Sequence, residues 1–272
     1  MPLTELYLDT PNRLAIFVLV LTRISGLLLT APVLGVRSAP FQVRAVLAVG
    51  VSLLVTPLLF DAPLADPGTL VNLAAMMAGE AIIGVALGLG VMILFSGVQL
   101  TGQIVGQMSG AQIADVFDPT YDQSVPIYAQ LLDSVTLTVF LIIGGHREVV
   151  DALLGTFRVL PLGGGGFHEG MAEAMFALVT QSFSLGIRAA APAMVALLMS
   201  ILVLGLISRT LPQLNILAVG FSTNAVVMLA VMAMSLGGVV WVFQDQVGPT
   251  IDGLRDAISA PAEPVARVDS PA

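Results

Sequence analysis

The chain has 272 residues, of which 57% are hydrophobic and only 10% charged, with a net charge of −8 and a mean hydropathy of +0.97. An ordinary soluble domain is about 25% charged, and a monomer of this size cannot hide so much apolar surface behind so thin a polar skin. All ten basic residues are Arg, so no lysine-rich stripe exists to grip phosphates. There is no Cys for a disulfide, a thiolate metal site or a nucleophile. The composition excludes a soluble cytosolic enzyme, a disordered chain and a nucleic-acid binder, and it points to an integral membrane protein built of α-helices.

A membrane-spanning helix needs about 20 mostly apolar residues. Merging apolar runs across the internal charges Arg23, Glu80 and Arg188 leaves about six segments, at 14–34, 43–60, 70–99, 128–160, 174–208 and 213–243. They are continuous rather than alternating and too long for tilted strands of about ten residues, so the fold class is all-α rather than β-barrel. The first segment follows Glu5 and Asp9 instead of a basic stretch and has no A-x-A site behind it. It is expected to be retained rather than cleaved as a signal peptide.

Breakers divide the helices. Pro32, Gly35 and Pro40 separate the first pair, and Asp61, Pro63, Asp66 and Pro67 the second. The stretch 101–126 holds Gly102, Gly106, Gly110, Asp115, Asp118, Pro119, Asp122 and Pro126 and reads as a loop by composition. The fourth segment breaks at Gly144–Gly145. Pro161 and Gly163–Gly166 open a Gly-rich linker over 161–173, and Arg209 and Pro212 turn the last two segments into a helical hairpin. The tail 246–272 is expected to be mostly disordered. Segment 213–243 is about 46 Å long at ~1.5 Å per residue, well past a ~30 Å hydrocarbon core. The loop charges are also at odds with simple alternation. Arg37 and Arg44 mark the first connection as cytoplasmic, yet 101–126, on the same side by alternation, has three Asp and no Arg. These helices are not expected to cross in an ordinary up-and-down way.

Charges inside apolar helices face protein or water. Arg23, Glu80, Asp133 and Arg188 are of this kind. They either line a conduction or proton path or form buried structural pairs that set helix register. Scattered single charges favour pairing. Gly84 and Gly88, followed by Gly102, Gly106 and Gly110, repeat at four-residue spacing and would let backbones approach closely, within the chain or against a partner. His146 and His168 are the only histidines. His146, beside Gly145 and Arg147, reads as a helix-terminal residue rather than a ligand. Asp115, Asp118 and Asp122 lack the ligand order of a calcium loop, and no Walker A, H-E-x-x-H or G-x-S-x-G motif occurs. No catalytic residue, cofactor or metal is expected.

Several segments then carry a resemblance. They are R-I-S-G-L-L-L-T-A-P-V-L-G at 23–35, E-A-I-I-G-V-A-L-G-L at 80–89, M-S-G-A-Q-I-A-D-V-F-D-P at 108–119, G-G-H at 144–146, and R-T-L-P-Q-L-N-I at 209–216 with Gly220 and Phe221. In this order and spacing the chain resembles the FliR family of the flagellar type III export gate, together with its injectisome counterpart, over residues 13–245. It departs from the pattern at Ile113, where a Phe is expected, and at the more polar Gln112 and Asp115; the tetraglycine 163–166 reads as lineage-specific.

The resemblance implies a structural subunit of a gate that passes unfolded rod, hook and filament proteins. Such a subunit sits at the bacterial inner membrane in the flagellar basal body and packs with FliP-like and FliQ-like subunits beside FlhB-like and FlhA-like proteins. Residues 1–160 would be the FliP-like part and 174–245 the FliQ-like hairpin. Loop 106–126 would plug the pore: Gly106 and Gly110 supply mobility, Met108, Ile113 and Phe117 an apolar seal, and Asp118 and Pro119 complete the segment. Arg209, Gln213 and Asn215 join Arg23, Glu80, Asp133 and Arg188 as polar assembly contacts. A virulence-type gate subunit and, less in keeping with the absence of an internal repeat, a stand-alone secondary transporter remain as alternatives.

Overall fold

The computed structural model describes residues 11–32, 40–60, 64, 68–109, 127–164, 169–210 and 216–259. Among them the chain is all-helical, with α1 (Pro11–Thr30), α2 (Phe41–Val55), a 3₁₀ turn (Thr56–Leu59), α3 (Leu70–Met108), α4 (Ile127–Ile142), α5 (Gly145–Val159), α6 (Glu169–Thr210) and α7 (Ile216–Ser259). Among the described residues four helical stretches are long and apolar enough to cross a membrane: Asn12–Thr30, Phe41–Leu59, Leu70–Met108 and Gly170–Thr210. Counting two bent pairs as one span each brings the number to six. The pattern fits a multi-pass membrane protein.

Local chemistry sets the ends. Pro40 is the N-cap of α2, and Pro57, lacking an N–H, converts the end of that helix into a single 3₁₀ turn. Gly144 stops α4 at φ +81°, a backbone state open to glycine, and its carbonyl accepts from the Arg147 N–H at 2.7 Å as α5 starts. Pro192 and Pro249 lie inside α6 and α7.

Three helix extents differ from the sequence expectation. Residues 101–108, read as loop, continue α3. Glycine is a breaker only when nothing rewards the bare backbone. Here a Cβ on Gly102 would fall onto the Ala129 backbone, so close packing offsets the roughly 1 kcal/mol helix cost of glycine. Residues 246–259, read as the start of a disordered tail, are the end of α7. Val247, Ile251, Leu254 and Ile258 recur at helical spacing and are all buried. Helix α6 likewise begins at Glu169, inside the expected linker 161–173.

The chain forms two compact units. The first comprises Met1–Gly90, Glu148–Ala177 and Ile251–Ala272, the second Val91–Arg147 and Leu178–Thr250. Each draws on both halves of the sequence, across the expected division at 160–174. In the first unit α1 buries Ile16, Leu19, Val20, Ile24, Leu27 and Leu28, one face of a 3.6-residue repeat. Ile83, Ala86, Leu87, Val149, Leu153, Phe157, Leu254 and Ile258 complete that core. In the second unit Phe95 meets the Phe140 and Phe243 rings edge-on, with centroids 5.3 and 5.4 Å away, a favoured aromatic geometry. A further cluster joins Val105, Ala190, Ala193, Leu197 and Met228.

The long helices are used unequally. Of the most apolar window in α3, 61% is buried; in α6 the figure is 17%. Phe176, Val179, Phe183, Leu198, Leu202 and Leu206 of α6 stand exposed. A helix that is apolar all round belongs among other helices or lipid, so α6 has apolar surface that the chain itself does not cover.

Candidate functional site

The polar residues that the sequence singles out inside apolar helices lead to one cluster in the first unit. Arg23 of α1 and Glu80 of α3 are both fully buried, and Arg23 Nε donates to Glu80 Oε2. Arg23 Nη1 donates to Thr156 Oγ1 of α5 at 3.0 Å, and the hydroxyl in turn donates to the Leu153 carbonyl at 2.6 Å. The guanidinium carbon lies 4.2 Å from the Phe157 ring centroid, a cation–π distance. The second carboxylate oxygen of Glu80 accepts from the Gly163 N–H at 2.8 Å. Gly163 has φ +80°, and a Cβ there would meet the methyl of Met76, one turn before Glu80. One carboxylate thus ties α1 and the turn after α5 to α3. Arg23 Nη2 has no hydrogen-bond partner among the described residues.

Glycines bring the backbones close enough for the pair to meet. A Cβ on Gly84 would fall onto the Arg23 carbonyl oxygen. One on Gly88 would meet the Thr30 hydroxyl and, at 2.9 Å, the Ala31 nitrogen. One on Gly26 would lie 2.9 Å from the Ala81 carbonyl oxygen. The small faces of α1 and α3 interlock within this chain, as small residues do between membrane helices. Arginine held this way cannot leave without stranding the carboxylate. The arrangement is an ion pair with three helices and a turn fastened to it.

The second unit carries further polar contacts. Gln99 Nε2 donates to Asp133 Oδ1 at 2.7 Å, and Asp133 is half-buried. Ser182 Oγ donates to the Ile93 carbonyl at 2.6 Å, Thr101 Oγ1 to the Gly186 carbonyl at 3.1 Å, and Ser200 Oγ to Asn224 Oδ1 at 2.8 Å across α6 and α7. These bonds link the apolar helices of that unit.

The remaining candidates are scattered. Arg188 and Arg209 are exposed on α6. Gly106 is buried and Met108 half-buried in the last turn of α3. Gly110, Ile113, Phe117, Asp118, Pro119, Gln213 and Asn215 lie outside the described residues. Sequence reasoning missed Thr156, Phe157 and Gly163 as members of the ion-pair cluster. Thr156 is 133 positions from Arg23, and a lone threonine on an apolar helix carries no local signal; only the left-handed turn at Gly163 was hinted at, by its glycine run. No group of three or more metal-ligating side chains occurs among the described residues.

Comparison with known proteins adds a direct indication. Residues 14–249 match the family described as bacterial export proteins, family 1. The chain is similar to the flagellar biosynthetic protein FliR of Escherichia coli, with 34% identity over 78% of this chain and 81% of that protein. It is also similar to FliR of Caulobacter vibrioides, with 25% identity over 89% and 97%. A more distant similarity, 24% over 59% and 62%, reaches the secretion system apparatus protein SsaT of Salmonella typhimurium.

Proposed function

This chain belongs to the bacterial export proteins, family 1, and from that membership we propose that it is a structural subunit of the flagellar type III export gate, forming part of the channel for unfolded rod, hook and filament proteins. Similarity to FliR proteins across 78% and 89% of the chain favours the flagellar system over the virulence system. The chain works by holding shape and performs no covalent chemistry. Its place is the bacterial inner membrane at the flagellar basal body, among FliP-like and FliQ-like subunits and beside FlhB-like and FlhA-like export proteins.

One observation carries this reading: the 42-residue α6 is about 63 Å long at ~1.5 Å per residue and leaves most of its apolar surface uncovered by its own chain. Such a helix outreaches a bilayer core of ~30 Å and needs other protein along its length. Arg188 and Arg209 stand on that uncovered helix, where carboxylates of neighbouring subunits can meet them. On the same reading segment 106–126 plugs the pore, and deletion of 110–118 raises ion leakage across the membrane; unchanged conductance would count against the plug alone.

The test of the whole proposal is genetic. A strain lacking this chain should secrete no hook or filament protein, and a plasmid copy should restore secretion. Purified from its host, the chain should bring FliP-like and FliQ-like proteins with it. Normal flagellar secretion in the null strain would overturn the proposal, as would full transport by the isolated chain in liposomes.

A further inference from the structure

Helix α5 differs from every long helix in the chain. Its buried side carries Val149, Ala152, Leu153, Thr156 and Phe157, the wall of the Arg23–Glu80 cluster. Its other side carries Glu148, Asp151 and Arg158, all exposed and successively three and seven residues apart, which places them on one helical stripe. The end of α7 runs onto the same stripe. The Arg255 side chain lies over Gly155, where a Cβ would sit 2.9 Å from Nε and 3.1 Å from Cζ. Asp252, Arg255 and Asp256 are exposed there, while Leu254 turns inward and fills the space above Gly90. Four acids and two arginines therefore share one surface of the first unit. No ion pair ties any of the six to another among the described residues.

A charge facing hydrocarbon is costly even on lenient insertion scales. Six charges on one surface, with no ion pair among the described residues, cannot face lipid. Nor does their mixture of signs form the single-signed patch that would select a charged partner. The stripe suits water. We infer that the outer face of α5 and the last turns of α7 form one aqueous-facing surface on a single side of the membrane. Helix α5 is then a plank between water and the buried ion pair rather than half of a spanning segment with α4. This follows from the charge placement alone and does not rest on the export reading.

The chain contains no cysteine, so single cysteines report on accessibility without background. Asp151→Cys, Arg158→Cys and Asp256→Cys are introduced one at a time into the full chain in its host, with Glu148→Cys as a second α5 position and Leu202→Cys on the apolar face of α6 as the reference. A membrane-impermeant sulfonated maleimide is applied to spheroplasts and to inverted membrane vesicles. All four charged-face positions should react from the same side, at least about tenfold faster than Leu202→Cys, whose surroundings exclude water. Reaction of Asp151→Cys and Asp256→Cys from opposite sides would overturn the inference, as would rates no faster than the reference in both preparations. Flagellar secretion by the same strains, scored separately, shows that each variant is assembled, and its loss in the null strain is a different readout from the labelling.

Discussion

Replacing Glu80 with Ala should unseat the first unit. Both members of the Arg23–Glu80 pair are fully buried, so the substitution leaves a guanidinium with no counter-charge, held only by the Thr156 hydroxyl and the Phe157 ring. It also strands the Gly163 N–H. Breaking a buried pair from one side costs about 3–5 kcal/mol. At about 1.4 kcal/mol per tenfold, this is two to four orders of magnitude in the folding equilibrium. Glu80→Gln should also destabilise, since its single amide oxygen can accept from Gly163 or from Arg23 Nε but not both, and its NH₂ is left facing the other donor. The double variant Arg23→Met, Glu80→Leu removes both charges. Thr156 keeps its bond to the Leu153 carbonyl, so the main residual defect is the Gly163 N–H, about 1–3 kcal/mol. The measurement is unfolding of the purified chain in detergent, followed by helicity against denaturant, for Glu80→Ala, Glu80→Gln, the singles Arg23→Met and Glu80→Leu, and the double. The double should be more stable than Glu80→Ala. Should Glu80→Ala lose less than about 1 kcal/mol, or the double lose the sum of the Arg23→Met and Glu80→Leu changes measured singly, the ion pair does not hold these helices as argued.

Further expectations use the same assay. Gly84→Ala drives a methyl onto the Arg23 carbonyl and should cost about 1–3 kcal/mol. Gly205→Ala, with nothing within 4 Å, should be neutral or stabilise by up to about 1 kcal/mol; the reverse order would refute the close-approach argument. Gly163→Ala meets both a left-handed backbone and the Met76 methyl and should destabilise by about 1–2 kcal/mol, measured as a lowered unfolding midpoint. Phe243→Ala empties a fully buried ring position against Phe95 and Phe140 and should cost about 3–5 kcal/mol; a loss under 1 kcal/mol would mean that the aromatic cluster is not packed as described.

What the amino-acid order determined by itself is the class of molecule and the sequence of its parts. Hydropathy is a local property, and a run such as 81–99 can satisfy its backbone in an apolar medium only as a helix. The break at Gly144–Gly145 was legible for the same reason, since a left-handed turn there needs glycine. The importance of Arg23 and Glu80 was legible too, because charge in an apolar run must find a partner. Which partner it finds is a different matter. Arg23 meets Glu80 57 positions away and Thr156 133 positions away, while Arg188, equally isolated in its run, stays exposed. Nothing local distinguishes these arginines. The same holds for Gly102, a breaker by composition and a packing surface in fact, and for 246–259, a polar-looking tail whose Ile251, Leu254 and Ile258 close the core of the first unit. Tertiary packing decided these points, because the worth of a bare glycine or a buried charge depends on what another part of the chain brings up against it.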